Sequence, residues 1–176
     1  MNTMNKPVLD NYRFERKFII PERLTHSIEE VVKSNSALMR NIFPPRFINN
    51  IYFDNSRFKS FFENIDGVSE RMKTRIRWYG NLKGKIKKPV LEFKQKRGLT
   101  GSKTSIDLPS FDLKDIYRPG FLPSLFQNSN LDMRKKELML SLTPSLINRY
   151  QRKYFLSFDQ KFRITLDHHL KYYPVS

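Results

Sequence analysis

Cations recur at every second position of residues 71–77. One face of a strand here would carry Arg71, Lys73, Arg75, Arg77 and Tyr79. The opposite face would hold Met72, Thr74, Ile76 and Trp78. Successive side chains point to opposite sides of a strand, so the pattern gathers four like charges with no acid among them. Neighbouring like charges repel. A bound polyanion such as a chain of phosphates would relieve this repulsion, because guanidinium groups bind phosphate oxygens bidentately and lysines add point charges.

Three other segments alternate in the same way, at residues 12–20, 91–96 and 162–170. Their charged or polar faces carry Arg13, Glu15 and Lys17, then Glu92, Lys94 and Lys96, and finally Arg163, Thr165 and Asp167. For a single strand, the ordinary interpretation is a sheet with its charged face in water. The repetition in four segments favours a cationic surface that binds an anion.

Two glutamates interrupt the cationic pattern. Glu15 and Glu92 each stand two positions before a lysine. Carboxylates next to phosphate suit Mg²⁺ or Mn²⁺, which prefer hard oxygen ligands. A cross-strand salt bridge to a neighbouring arginine explains each glutamate equally well. Both interpretations remain open at this point.

Periodicity and turn signals predict the elements that must position these residues. Strands are predicted at residues 12–20, 47–53, 71–79, 89–96, 103–108, 147–158 and 162–170. Helices are predicted at residues 21–33, 56–65 and 131–142, the last capped by Asn130 or Asp132 and ended by Pro144. Residues 109–130 are predicted to be loop with short helical pieces. The fold class is therefore α+β, with an antiparallel sheet and flanking helices.

Composition limits the classes of partner. The chain has 176 residues, which suits a single domain over residues 1–176, and its formal net charge is +16. Such an excess predicts polyanionic partners: nucleic acid, anionic membrane or phosphate compounds. No apolar run reaches the roughly 20 residues of a membrane span. The first residues lack the apolar core of a secretory signal, so a cytoplasmic location is predicted.

Several kinds of active site are excluded. The chain has no cysteine and only three histidines, two of them adjacent at His168 and His169. Disulfides and thiolate metal sites are therefore absent, and a zinc site built on histidine is not expected. No Gly-x-x-x-x-Gly-Lys loop occurs, which excludes a P-loop enzyme. No Ser/His/Asp or Cys/His constellation can be assembled.

Six segments together resemble the VTC domain, the polyphosphate polymerase domain of the triphosphate tunnel metalloenzyme (CYTH-like) superfamily. They are YRFERKFII from residue 12, INNIYFDN from 48, RMKTRIRWYG from 71, LEFKQKRG from 91, SLINRYQRKYF from 145 and FRITLDHHL from 162. They follow the family's order and reach from residue 12 to residue 170. RxRWYG, followed by LExK and then a YxR strand, is the most specific part.

The resemblance implies a β-barrel, or tunnel, with a polar and basic interior. It implies transfer of the γ-phosphate of ATP to a growing polyphosphate, or hydrolysis of inorganic triphosphate, with Mn²⁺ or Mg²⁺. The expected partners are ATP, triphosphate or polyphosphate, with a membrane protein that receives the polymer and without DNA.

The resemblance also assigns roles to residues. Catalytic roles are implied for Arg75, Arg77 and Lys94, and metal binding for Glu15 and Glu92. Phosphate binding is implied for Arg13, Lys17, Arg71, Lys73, Arg75, Arg77, Lys94, Lys103, Tyr150, Arg152 and Arg163. Domains of this family continue to a later strand with a metal-binding glutamate, whereas this sequence ends at Ser176. The barrel is therefore expected to lack its last strand or strands.

Two alternatives to a polymerase or triphosphatase remain. A non-catalytic module that binds polyphosphate or inositol phosphate needs only the cations. RNA binding would use aromatic residues interleaved with the basic strands. It ranks lower because Trp78 lies opposite Arg75 and Arg77 on its strand, which favours Trp78 as a core residue.

Overall fold

Strands are the most frequent elements of the structure, a computed structural model that describes residues 15–98 and 100–175. They are β1 (Arg40–Asp54), β2 (Glu70–Tyr79), β3 (Lys85–Ile86), β4 (Val90–Arg97), β5 (Thr100–Asp107), β6 (Phe111–Asp112), β7 (Thr143–Leu156) and β8 (Arg163–Tyr173). Six of them form one antiparallel sheet in the order β5-β4-β2-β1-β7-β8. The short strands β3 and β6 pair with each other.

Within the described residues, four helices flank this sheet. They are α1 (Thr25–Ser34), α2 (Lys59–Ile65), α3 (Phe121–Gln127) and α4 (Met133–Leu140). One 3₁₀ turn, Glu22–Leu24, directly precedes α1, and another, Leu113–Tyr117, lies between β6 and α3. Of the two predicted caps of α4, Asp132 is the one observed, since its side chain accepts a hydrogen bond from the Lys135 backbone N–H at 2.8 Å. Within the described part of the chain, no helix is long and apolar enough to cross a membrane.

One face of the sheet forms the main core. The fully or almost fully buried side chains of Ile51, Ile76 and Leu91 pack with Phe126 of α3 and Met139 of α4. Trp78 belongs to the same cluster, is 2 % exposed, and donates its indole N–H to the Asn81 carbonyl at 2.9 Å. The prediction that Trp78 is a core residue is confirmed. The alternation in β2 and β4 therefore sends the apolar side chains into the core and the charged ones to the other face.

The predicted fold class is confirmed: an antiparallel sheet with flanking helices, of α+β type. In the described residues, β5 and β8 are the two edges of the sheet and do not pair with each other. Over residues 15–98 and 100–175 the sheet is therefore open, and these residues do not enclose its charged face in a tunnel.

Two expectations about local structure were wrong. Residues 15–20 of the predicted first strand form no strand, and residues 12–14 lie outside the described residues. Phe18 and Ile19 on this segment are exposed. Alternation marks a segment able to form a strand, but a strand also needs a partner to receive its hydrogen bonds. Pro144 does not end a helix directly: α4 ends at Leu140, and Pro144 lies near the start of β7.

A second, smaller cluster attaches α1 to the sheet. Val32, Met39 and Phe155 form its buried part. Beside it, Glu29 of α1 binds Lys153 of β7 and also Lys33, whose Nζ lies 2.8 Å from the carboxylate. The hydrogen bonds from Lys153 and Lys33 lower the pKa of Glu29 from 4.5 to about 2. The carboxylate therefore contributes stability that is present above pH 4.5 and is lost as the pH falls towards 2.

Replacing Glu29 by glutamine tests this ion pair. We expect the wild-type protein to be more stable than Glu29→Gln near neutral pH, and this difference to shrink by about 2 kcal/mol as the pH falls towards 3. Urea unfolding of both proteins at several pH values measures the difference. Any other loss of stability at low pH affects both proteins equally and cancels in that comparison. A difference independent of pH would contradict the assignment.

Candidate anion-binding face

The face of the sheet opposite the core carries seven cations on three adjacent strands. We call it the cationic face and define it by Arg71, Lys73, Arg75, Arg77, Lys94, Lys96 and Lys103. The strand register brings them together: Lys73 lies opposite Lys94, and Lys94 lies opposite Lys103. Directly paired residues of neighbouring strands share a face, so like charges stand side by side here.

A buried carboxylate lies among these cations. Glu92, with a side chain only 6 % exposed, receives Arg75 Nη2 at 2.7 Å and Lys103 Nζ at 2.5 Å, with Arg77 Nη1 at 3.9 Å. Burial alone would raise the pKa of Glu92, but the hydrogen bond from Lys103 and the charges of the two arginines outweigh it and lower the pKa. Glu92 is thus ionised and still leaves this group of three cations with net positive charge.

Neutral side chains of β1 and β7 hold the arginines in place. Arg77 donates from Nε to Asn50 Oδ1 at 2.9 Å and from Nη2 to the Tyr150 hydroxyl at 3.2 Å. Arg75 donates from Nη1 to the Tyr52 hydroxyl at 3.2 Å. The Asn50 amide in turn donates to Asn148 Oδ1 at 2.7 Å. Both guanidinium groups are therefore oriented before any ligand arrives, which lowers the entropy cost of binding.

The sequence analysis did not predict a functional role for three of these orienting residues. Asn50, Tyr52 and Asn148 carry no charge and fit no motif for phosphate binding. A signal was nevertheless present: Asn49 and Asn50 stand side by side in the otherwise apolar run of residues 48–53, and both are fully buried. A buried amide needs a partner, so such a residue indicates a polar contact on that face.

The least compensated charge lies at Lys73. Within the described residues it makes no ion pair and no hydrogen bond, and its neighbours are cations. Burial, followed by the charges of Lys17, Arg71, Lys94 and Arg75, lowers its pKa. Lys73 therefore remains in an environment that disfavours its own charge, as expected for a site that an anion would complete.

The segment before α1 adds to the same face although it is not a strand. Glu15 lies 3.7 Å from Lys17 and 3.8 Å from Lys94, and all three side chains are more than half exposed. Exposed pairs of this kind contribute little to stability. Lys17 nonetheless lies near Lys73. It is beside the other cations, as predicted, but on a loop and not on a strand. Arg13 lies outside the described residues.

A cavity of about 700 Å³ adjoins Lys73 where the sheet meets α2. Its walls include Tyr52, Lys73 and Asn148 from the sheet and the exposed Phe61 of α2. The cavity provides space for a ligand beside the least compensated cation.

The remaining candidates lie further along the sheet. Tyr150 is buried, with its hydroxyl on Arg77. Arg152 binds both oxygens of Asp167 at 2.6 Å, so its guanidinium is already paired. Arg163 on β8 lies level with the start of β1, because it pairs with Leu156 of β7, which in turn pairs with Arg40. Arg75 lies level with the other end of β1, because it pairs with Tyr52. The structure thus separates Arg163 from the cations around Lys73.

The described residues do not form a ligand set for a divalent metal. In residues 15–98 and 100–175, no group of three His, Cys, Asp or Glu side chains could hold an ion. Glu92 is surrounded by Arg75, Arg77 and Lys103, and Glu15 binds other cations, Lys17 and Lys94. A metal ion next to Glu92 would meet three positive charges. Metal binding by Glu15 and Glu92 therefore remains a prediction.

Comparisons with known proteins add the following. The family model described as "VTC domain" matches residues 12–175. No curated protein matched the chain. Among solved structures, a protein from Hippeastrum, described as a proposed adenylyl cyclase that reveals a dominant triphosphatase activity, is similar at 12 % sequence identity and a TM-score of 0.46. That similarity covers 87 % of this chain and 72 % of the Hippeastrum chain.

Proposed function

Since the chain belongs to the VTC domain family, we propose that its cationic face binds a chain of linked phosphates, such as inorganic triphosphate or polyphosphate. The observation that carries this proposal is the uncompensated charge around Lys73, whose pKa is lowered by burial and by four neighbouring cations. A polyphosphate would place negative oxygens along the row of cations on β2. It would replace repulsion between neighbours by charge-assisted hydrogen bonds.

The geometry favours phosphate oxygens over nucleic-acid bases. Trp78 is buried in the core, and Tyr150 is 7 % exposed with its hydroxyl on Arg77. Neither of these two rings offers a free surface on which a base could stack, whereas Tyr79 at the end of β2 is 49 % exposed. Arg75 and Arg77 are oriented guanidinium groups in a partly buried setting, where hydrogen bonds to an anion are stronger than in water.

Lys73→Gln tests the proposal at its central residue. We expect this variant to bind tripolyphosphate about tenfold more weakly than the wild type, because one charge-assisted contact is lost. A bound anion favours the charged form of Lys73 and raises its pKa again, so the wild type should also take up protons on binding in alkaline buffer below the ordinary pKa range of lysine. Calorimetry in buffers of different ionisation enthalpy measures both the affinity and the proton uptake.

The matched control is Lys87→Gln, which removes the same charge from an exposed lysine between β3 and β4. We expect it to keep the affinity within about twofold and to leave the proton uptake unchanged, since screened surface charges act weakly. Absence of tripolyphosphate binding by the wild type would refute the proposed function. Equal affinities of the two variants would remove Lys73 from the site.

A finer proposal is phosphoryl transfer, from ATP to polyphosphate or from triphosphate to water. Transfer of this kind depends on positioning and charge stabilisation, and Arg75 and Arg77 could stabilise negative charge on the transferred group. Incubation with ATP and Mn²⁺, followed by assays for polyphosphate and free phosphate, tests it. Binding without turnover would support a polyphosphate-binding module instead.

A further inference from the structure

A second positive centre lies on the same face of the sheet, beyond Tyr79. Arg46 of β1 stands on the same side of its strand as Asn50 and Tyr52, and it pairs with Arg152 of β7. Its guanidinium carbon lies 4.5 Å from the ring centre of Phe43, 4.9 Å from that of Tyr154 and 5.2 Å from that of Tyr79. Three aromatic rings therefore hold this cation in place.

The Arg46 guanidinium has no polar partner among the described residues. It makes no ion pair or hydrogen bond there, and its Nε is buried without an acceptor. The neighbouring carboxylate does not compensate it, because both oxygens of Asp167 bind Arg152. Stacking on aromatic rings fixes a guanidinium while leaving its N–H edge available, and a buried donor without an acceptor is costly. The arrangement therefore suits an incoming oxyanion.

The site is also accessible. Phe43 and Tyr79 are 48 % and 49 % exposed, so two of the three rings border solvent. Arg46 lies six residues before Tyr52, the β1 partner of Arg75. At about 3.3 Å per residue the two positions are about 20 Å apart. Three linked phosphates bound around Lys73 and Arg75 do not reach Arg46, whereas a longer chain does.

We propose that Arg46 forms a distal subsite that binds phosphate groups of chains longer than triphosphate and so makes the face selective for chain length. This inference rests on the proposed function of the cationic face. Arg46 is a specificity-determining residue in this proposal, with Phe43, Tyr79 and Tyr154 as its positioning residues. The ligand is a linear polyphosphate that extends along β1 and β2 from Lys73 past Tyr79.

The test compares two ligands on two variants by calorimetry. The ligands are tripolyphosphate and a linear polyphosphate of roughly 12 phosphates, enough to span the distance of about 20 Å between the two positions. Arg46→Gln removes the charge and keeps most of the side-chain length between the rings. The control is Arg149→Gln, because Arg149 also stacks on an aromatic ring, Phe47 at 3.9 Å, but on the opposite face of the sheet. Circular dichroism and thermal unfolding establish that each variant is folded.

We expect Arg46→Gln to bind the long chain about tenfold more weakly than the wild type and to bind tripolyphosphate within about twofold. Arg149→Gln should bind both ligands like the wild type. If Arg46→Gln bound both ligands equally more weakly, or bound the long chain as tightly as the wild type, the distal subsite would be overturned while the proposed function stands. Failure of the wild type to bind either phosphate chain would refute the proposed function itself.

Discussion

Replacing Arg75 and Arg77 together by alanine is expected to weaken tripolyphosphate binding about 100-fold, the loss of two charge-assisted contacts of roughly 1.5 kcal/mol each. These arginines are the most firmly oriented cations of the face. Tyr52 and Glu92 hold Arg75, while Asn50 and Tyr150 hold Arg77. Preorganised donors have little orientational freedom left to lose on binding, so their removal should cost more than that of an exposed lysine. Calorimetry with tripolyphosphate at fixed salt measures the effect.

The control for this double variant is Lys87→Ala with Lys88→Ala. It lowers the net charge by the same amount at two exposed positions before β4. Long-range attraction falls equally in both proteins, so the difference between them reports the site alone. If the two double variants bound tripolyphosphate equally well, the affinity would come from net charge, and the assignment of Arg75 and Arg77 would be wrong. Thermal unfolding should accompany the titration, because Glu92 loses both of its arginine partners in this variant and keeps only Lys103.

The second large effect is expected at Glu92. Replacing it by glutamine leaves Arg75, Arg77 and Lys103 without their shared carboxylate in a partly buried place. Breaking a buried ion pair from one side typically costs about 3 kcal/mol, and we expect a loss of that order in the free energy of unfolding. Because the pKa of Glu92 is lowered in the folded protein, its contribution to stability is present at neutral pH and is lost as the pH falls below the ordinary range of a glutamate. Urea unfolding of both proteins measures the loss.

Tripolyphosphate should partly restore the stability of Glu92→Gln and should stabilise this variant more than the wild type, since the anion takes the place of the missing carboxylate. Glu70→Gln serves as the control, because Glu70 is exposed at the start of β2 and should change stability by no more than about 0.5 kcal/mol. A Glu92→Gln protein as stable as the wild type would contradict the ion-pair role. A rise in melting temperature with Mn²⁺ in the wild type that Glu92→Gln lacks would instead support Glu92 as a metal ligand.

Much of this face could be predicted from the sequence because strand geometry is simple. Residues 71–79 and 91–96 form strands in the structure, and the alternation correctly separates Arg75 and Arg77 from Trp78 and Ile76. Membership of the VTC domain family was likewise visible in the short segments that the family model confirms. Alternation at period two and the order of the motifs are properties of the sequence itself, so both can be recognised without knowing the fold.

Other features depended on which strands become neighbours. The predicted strand at residues 12–20 has the right alternation, yet residues 15–20 form no strand pairing in the described structure. The importance of Arg46 had no local signal, because Phe43 is near it in sequence while Tyr79 and Tyr154 come from other strands. The pairing of β1 between β2 and β7 brings them together.

By itself, the sequence determined the charge of the face and the side of each strand on which each cation lies, because the direction of a side chain follows from its own backbone. The tertiary structure alone decided which cations are compensated. Glu92 neutralises part of the charge of Arg75, Arg77 and Lys103, whereas Lys73 and Arg46 keep theirs without a partner in the described residues. Compensation depends on distances of a few ångströms across strands, and the register of the sheet sets those distances.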